Sequence, residues 1–180
     1  MVSDLALLFL FLLTAWLIVF MYLNIFYFIY LEVPTLSAGN KVIRKILENI
    51  DFKGEKKFYD LGSGSGKLIS RVAEQYPRLE CVGIEYNISA YFTAKIRNVF
   101  LKNKVSYQRG NFFKVDLGDA DIVYAYLFPS VMDDLETKLS NELKKGALVI
   151  TNSFSLKSKK PRTVIRGKIG ALDTLYIYEY

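Results

Sequence analysis

The longest apolar run comes first: from Leu5 to Leu31 there are 27 residues without a charge, interrupted only by Thr14 and Asn24. At about 1.5 Å per residue, a helix of this length crosses a hydrocarbon core of about 30 Å with some tilt or overhang. Beyond Pro34 the pattern shortens. Val42, Ile43, Ile46, Leu47 and Ile50 recur on one face of a helix from Gly39 to Ile50, with Lys41, Arg44, Lys45 and Glu48 over the remainder. After a charged turn from Asp51, apolar runs of strand length alternate with helical periods. Strands are expected over Lys57 to Leu61, Glu80 to Glu85, Val105 to Arg109, Asp121 to Leu127 and Ala147 to Asn152. The helices between them run from Gly66 to Tyr76 ahead of Pro77, from a Ser89 cap to about Leu101, and from Val131 to Leu143 ahead of Lys144-Lys145-Gly146. Ser153 to Arg162 is polar and basic. Thr163 to Ile169 and Thr174 to Tyr178, separated by a short turn holding Gly170, then read as a closing antiparallel hairpin.

Five strands in βα alternation call for a parallel sheet with right-handed crossovers, and the hairpin brings the sheet to seven strands. The chain divides into an apolar anchor (residues 1–31), a linker with an amphipathic lead-in helix (32–56) and an α/β domain (57–180). Beyond the anchor there is room for one domain of roughly 145 residues, the commonest domain size.

Charge gives the anchor a direction. A cleaved signal would carry a basic N-terminal flank and a shorter apolar stretch, whereas this flank holds Asp4 and no Lys or Arg. Lys41, Arg44 and Lys45 follow the far end, so the domain is expected on the cytoplasmic side, or in an organelle matrix, of a single-pass span. The aromatic cluster from Asn24 to Tyr30 suits the headgroup level. The chain has 24 basic and 18 acidic residues, net +6; without Asp4 the remainder is 24 against 17, or +7. Part of that excess can hold the domain against an anionic leaflet. The basic residues are dispersed rather than gathered with aromatics in a groove, so no nucleic acid is expected.

Composition also removes chemistries. With no histidine there is no imidazole base or ligand, and the lone Cys81, inside the run Cys-Val-Gly-Ile, reads as a small buried hydrophobe. No metal is expected. What remains is Phe58-Tyr59-Asp60-Leu61-Gly62-Ser63-Gly64-Ser65-Gly66, an apolar strand breaking into three alternating glycines, a strand-to-helix turn with backbone amides turned toward a small nucleoside ligand. A dinucleotide fingerprint would need glycine at Lys67, and a P-loop would need glycine at Leu61 and Ser or Thr at Leu68.

In an open α/β sheet the ligand lies at the carboxyl ends of the strands where the winding reverses. Asp60, Gly62, Ser63, Gly64 and Gly66 follow the first strand. Glu85, 25 residues after Asp60, ends the second beside Tyr86, the distance at which a carboxylate accepts both hydroxyls of a ribose. Asn111 and Phe112 follow the third, an amide to read an adenine edge and a ring to pack on it. The fourth ends in Tyr124-Ala-Tyr126-Leu-Phe128-Pro129, where an acceptor would enter past a rim of rings.

Asp-Leu-Gly-x-Gly-x-Gly after an apolar strand resembles the first motif of the class I methyltransferases that use S-adenosylmethionine (SAM). Taken with Val33-Pro34-Thr35 ahead of the amphipathic helix and with Gly110-Asn-Phe-Phe113, the chain resembles one branch, the membrane-anchored lysine methyltransferases. That branch includes the mitochondrial enzymes acting on the ATP synthase c-subunit and the adenine nucleotide translocase, with bacterial and archaeal relatives. It typically has an acidic residue where Ser65 stands and Asp where Asn111 stands. The resemblance spans Leu31 to Tyr180 and implies a Rossmann-like class I methyltransferase fold, SAM as methyl donor, and a membrane-associated protein as substrate. It implies that Thr35 and the Pro34 turn close over the cofactor and that Tyr126, Phe128 and Pro129 face the target lysine. A sulfonium already carries an activated methyl, so the protein's share is to align and desolvate the nucleophile. A ring-lined pocket does both for an amine, lowering its pKa by desolvation and steadying an ammonium by cation–π attraction. Two other readings stay open: methylation of a lipid headgroup or small amine, and a catalytically silent SAM-binding protein.

Overall fold

The structure, a computed structural model, describes residues 4–31, 38–52, 54, 57–102, 105–167 and 170–180. The chain forms two compact units, Met1–Thr35 and Leu36–Tyr180. In the first, helix α1 (Asp4–Leu31) holds the one stretch among the described residues long and apolar enough to cross a membrane, Ala6–Phe26, with mean hydropathy 2.6.

The second unit is a seven-stranded sheet. Its elements are α2 (Asn40–Asn49), β1 (Lys57–Leu61), α3 (Lys67–Gln75), β2 (Glu80–Glu85), α4 (Ile88–Val99), β3 (Ser106–Arg109), β4 (Ile122–Ala125), α5 (Met132–Glu142), β5 (Leu148–Asn152), β6 (Thr163–Gly167) and β7 (Gly170–Glu179). The strand order is β3-β2-β1-β4-β5-β7-β6. The five strands β1 to β5 are parallel, and β7 runs antiparallel between β5 and β6. From β1 the chain winds outward through β2 to β3 and then returns to place β4 on the other side of β1, so the winding reverses at the carboxyl ends of β1 and β4.

Each sheet face has its own core. On one, α2 and α3 bury Val42, Ile43, Ile46, Ile69 and Val72 against Phe58, Ile122 and Ile150. α2 is therefore a packed part of this unit. On the other, α5 buries Leu135 and Leu139 against Leu61, Val123 and Val149. The central strands are buried on both faces, which is why they read as continuous apolar runs.

The expected strands β1 and β2 fall on their stated residues, and three local expectations are corrected. Helix α4 is capped by Asn87 rather than Ser89: extended at φ −69° and ψ 122°, Asn87 accepts the amides of Ser89 and Ala90 at 3.0 and 3.1 Å, so the helix begins at Ile88. β4 ends at Ala125, because Tyr126 to Phe128 leave the sheet for a 3-10 turn over Pro129–Val131. Gly170 lies within β7, paired with Gly167, and β7 continues to Glu179.

Candidate functional site

One row of side chains crosses five strands on the α2/α3 face. The pairing sets Gln108's neighbour Tyr107 beside Gly83, Gly83 beside Asp60, Asp60 beside Tyr124, and Tyr124 beside Ile150. Paired residues of neighbouring strands share a face. Gly83 is there because of Tyr107: a Cβ on it would lie 2.8 Å from that ring. Asp60 thus sits between two tyrosines, only 2% exposed. Burial pushes its carboxyl up to about 8, the nearby Glu85 charge adding to the shift. Burial also pushes the Tyr107 hydroxyl and the Cys81 thiol up to about 12, which leaves Cys81 inert.

The turn after β1 spends its amides within the chain. Gly62 and Ser63 donate to the Ile84 carbonyl at 2.9 and 3.0 Å, Gly66 donates to the Ser63 carbonyl at 2.9 Å, and Gly64 donates to Glu85 Oε2 at 2.8 Å. The expectation of amides free for a ligand is corrected for these four. The glycines answer to backbone and packing instead: Gly62, Gly64 and Gly66 have φ of 73°, 55° and 75°, and a Cβ on Gly66 would run into the Tyr107 hydroxyl. Across the turn, Arg97 of α4 donates from Nε to the Ser65 carbonyl at 3.0 Å.

Glu85 is the ordered acid of the site. Its Oε1 accepts the Asn87 amide at 2.7 Å and its Oε2 the Gly64 amide, so β2, the glycine turn and the start of α4 converge on one carboxylate that is 5% exposed. Burial raises its pKa, while the amides of Asn87, Gly64 and Tyr86 pull it back. A carboxylate offers about four lone-pair positions, so both oxygens keep acceptor capacity. Tyr86, the next residue, is 52% exposed.

The other sequence-chosen residues gather at the same end of the sheet. Asn111 accepts the Phe113 amide at 2.9 Å and so starts a 3-10 turn over Phe112–Lys114, and Phe112 is half-buried against the second core. Buried Lys138 of α5 ties this segment down by donating to the Val115 carbonyl at 2.7 Å. Tyr126 and Phe128 are half-buried and Pro129 is exposed in the segment leaving β4, with Tyr126 packed on the first core. Thr35 and Pro34 lie outside the described residues. Tyr124 is not part of a rim: it is 2% exposed, within the first core.

Two features at the site went unread in the sequence. Asn152, 1% exposed, ends β5 on the face that carries Tyr124, and its amide lies toward the Tyr124 hydroxyl without a hydrogen bond of good geometry between them; Ser63 Oγ is likewise buried without one. Burial, with the Asp60 charge next, holds the Tyr124 hydroxyl well above its ordinary pKa. Ser153 turns the chain immediately afterward at φ 70°, the one positive value at a non-glycine among the described residues, held by its amide on the Thr174 carbonyl at 2.9 Å. The rule that selected four strand ends would have reached this fifth one.

Residues 60–163, from Asp60 past the end of β5, match the family model described as the ANTKMT methyltransferase domain. The chain belongs to this family. ANTKMT-domain relatives include a protein-lysine N-methyltransferase of Saccharolobus islandicus (strain REY15A), 32% identical over 150 residues that cover 82% of this chain and 93% of that protein. The adenine nucleotide translocase lysine N-methyltransferase of Mus musculus is 32% identical over 138 residues, 75% of this chain, and the match spans 59% of the mouse protein. Among solved structures, an RNA methyltransferase from Salinibacter ruber in complex with S-adenosyl-L-homocysteine superposes with a TM-score of 0.72 at 26% identity, covering 80% of this chain and 93% of that one. The protein is a SAM-dependent methyltransferase with the class I fold, and SAM is its methyl donor.

Proposed function

We propose that the protein methylates a lysine of a membrane-associated protein, with the carboxyl ends of β1 and β2 holding the cofactor and those of β4 and β5 receiving the acceptor. The observation that carries the reading is the convergence on Glu85: a buried carboxylate, fixed by two amides from different elements, keeps lone pairs for the paired hydroxyls of a ribose. The fit to SAM rests further on Ser63 Oγ, an unpartnered polar atom in the turn itself. SAM supplies an activated methyl group when bound. On this reading Asp60, Gly62, Ser63, Gly64 and Gly66 shape the turn around it, Glu85 and Tyr86 hold the ribose side, and Asn111 and Phe112 border the base.

On the acceptor side Tyr126, Phe128 and Pro129 form an apolar passage that strips water from an incoming ammonium and favours its loss of a proton. Tyr124 and Asn152 extend that assignment: their hydroxyl and amide, only loosely engaged with each other, offer an amine two donor groups and two acceptor oxygens at the floor of the passage. Lysine as acceptor is supported by the names of the archaeal and mouse relatives. The anchor is supported by the length and hydropathy of α1.

The full chain in detergent should bind SAM by titration calorimetry, and native membranes incubated with tritiated SAM should show label in protein that hydrolyses to methyl-lysine. No SAM binding overturns the cofactor assignment. Label in the lipid extract or in RNA instead of protein overturns the acceptor.

A further inference from the structure

Helix α4 is built inside out. Its fully buried residues are only Ala90 and Ala94, 8% and 0% exposed, with Tyr91 half-buried against the first core. Four bulky apolar side chains point outward: Phe92, Ile96, Val99 and, at the helix end, Phe100 are 56%, 64%, 69% and 83% exposed. Positions 92, 96, 99 and 100 follow the i, i+4, i+7, i+8 repeat that places residues on one helical face. An ordinary surface helix turns such a stripe to the core. The charge along the chain is one-sided: from Tyr86 to Val115 there are six basic residues and no acidic one, and the groove beside Ile96 and Phe100 adds Lys67 and Arg71 of α3 against one acid, Glu74. Lys95 and Lys102, both exposed, flank the stripe itself.

We propose that the outer face of α4 is a membrane-contact surface, which lies in the interface of an anionic bilayer with Phe92, Ile96, Val99 and Phe100 among the acyl chains and Lys95 and Lys102 at the headgroups. An apolar stripe bordered by cations is what an interfacial helix needs, since apolar burial and attraction to anionic lipid add together. A second copy of this chain is disfavoured on the same face, because it would bring two runs of six like charges together. RNA would use the charges and the two phenylalanines, but Ile96 and Val99 present no ring for a base to stack on. The surface is distinct from the cofactor and acceptor residues, and the proposal does not depend on them.

The test uses the full chain reconstituted in vesicles, with an environment-sensitive fluorophore on Ile96→Cys in one sample and on exposed Asn141→Cys of α5 in another; Cys81 is buried and does not compete. With spin-labelled lipid in phosphatidylcholine vesicles containing phosphatidylglycerol, the probe at 96 should be quenched at least about two-fold more than the probe at 141, and the difference should shrink in phosphatidylcholine alone. Phe92→Ser with Phe100→Ser should abolish the quenching at 96 while SAM binding measured by calorimetry stays unchanged. Equal quenching at both positions overturns the proposal. So does a probe at 96 that responds only to added RNA, or only to rising protein concentration in detergent.

Discussion

The two sides of the candidate site are built on opposite terms. At the ends of β1 and β2 the named amides of the glycine turn and both Glu85 oxygens have partners inside the chain. At the ends of β4 and β5, the buried Tyr124 hydroxyl and Asn152 amide face each other without a hydrogen bond of good geometry. A satisfied network is rigid before any ligand arrives, whereas an unsatisfied buried polar group carries a standing cost of about 1–3 kcal/mol that a partner can relieve. On the proposed assignment, one side is a socket whose backbone is fixed in advance, with Ser63 Oγ left open for a constant cofactor, and the other keeps loosely engaged polar groups for a visiting acceptor.

The contrast can be broken by substitution. Gly66→Ala attacks the socket where φ is 75° and a Cβ meets Tyr107, so it should cost about 3 kcal/mol of stability, read from thermal unfolding in detergent. Adding Tyr107→Phe should restore part of that loss. Glu85→Gln should weaken SAM binding about 30-fold by calorimetry, near 2 kcal/mol for hydrogen bonds to a charged group, and an unchanged Kd would remove Glu85 from the cofactor side.

Tyr124→Phe and Asn152→Ala should behave differently. Stability should stay within about 1 kcal/mol or rise, since an unsatisfied group is removed, while turnover falls about tenfold. Matched losses of stability and turnover would make these residues ordinary core.

The last effect is a slope. Asp60 titrates near 8 in the folded chain against an ordinary value of 3.8, so between those limits the folded state holds the extra proton. Its contribution therefore lowers stability as pH rises from about 4 to 8, by at most about 1.4 kcal/mol per pH unit, and is constant outside that window. In Asp60→Asn this part of the pH profile should flatten; an unchanged profile would mean that Asp60 is ionised throughout.

The socket was more legible in the sequence than the acceptor side, for a physical reason. β1 and β2 are continuous apolar runs that end in acids, and period alone fixes their limits, so Asp60, the glycines and Glu85 could be placed from spacing. Why three glycines were needed could not be read there, because the obstacle at Gly66 is Tyr107, about forty residues away on another strand. Tyr124 reads in the sequence as one ring in a row of three, and only the register beside Asp60 shows it facing the core. The extent of β7 was equally hidden, since pairing with β6, Gly167 against Gly170, overrides the weak strand preference of glycine. Asn152 carries no motif at all: it is conspicuous only once the fold buries its amide beside Tyr124.

The turn at Ser153 also has a place in time. Its backbone is held by the carbonyl of Thr174, and β5 gains its second neighbour only when β7 docks. On the ribosome the glycine turn, β1 and β2 can assemble while the hairpin is still unmade, because chains fold from the N-terminus in units and distant pairings close last. The edge of the site that holds Asn152 is thus completed only after residues 170–179 have emerged, long after α1. On the proposed assignment, a nascent or C-terminally damaged chain would own the cofactor socket without a finished acceptor wall.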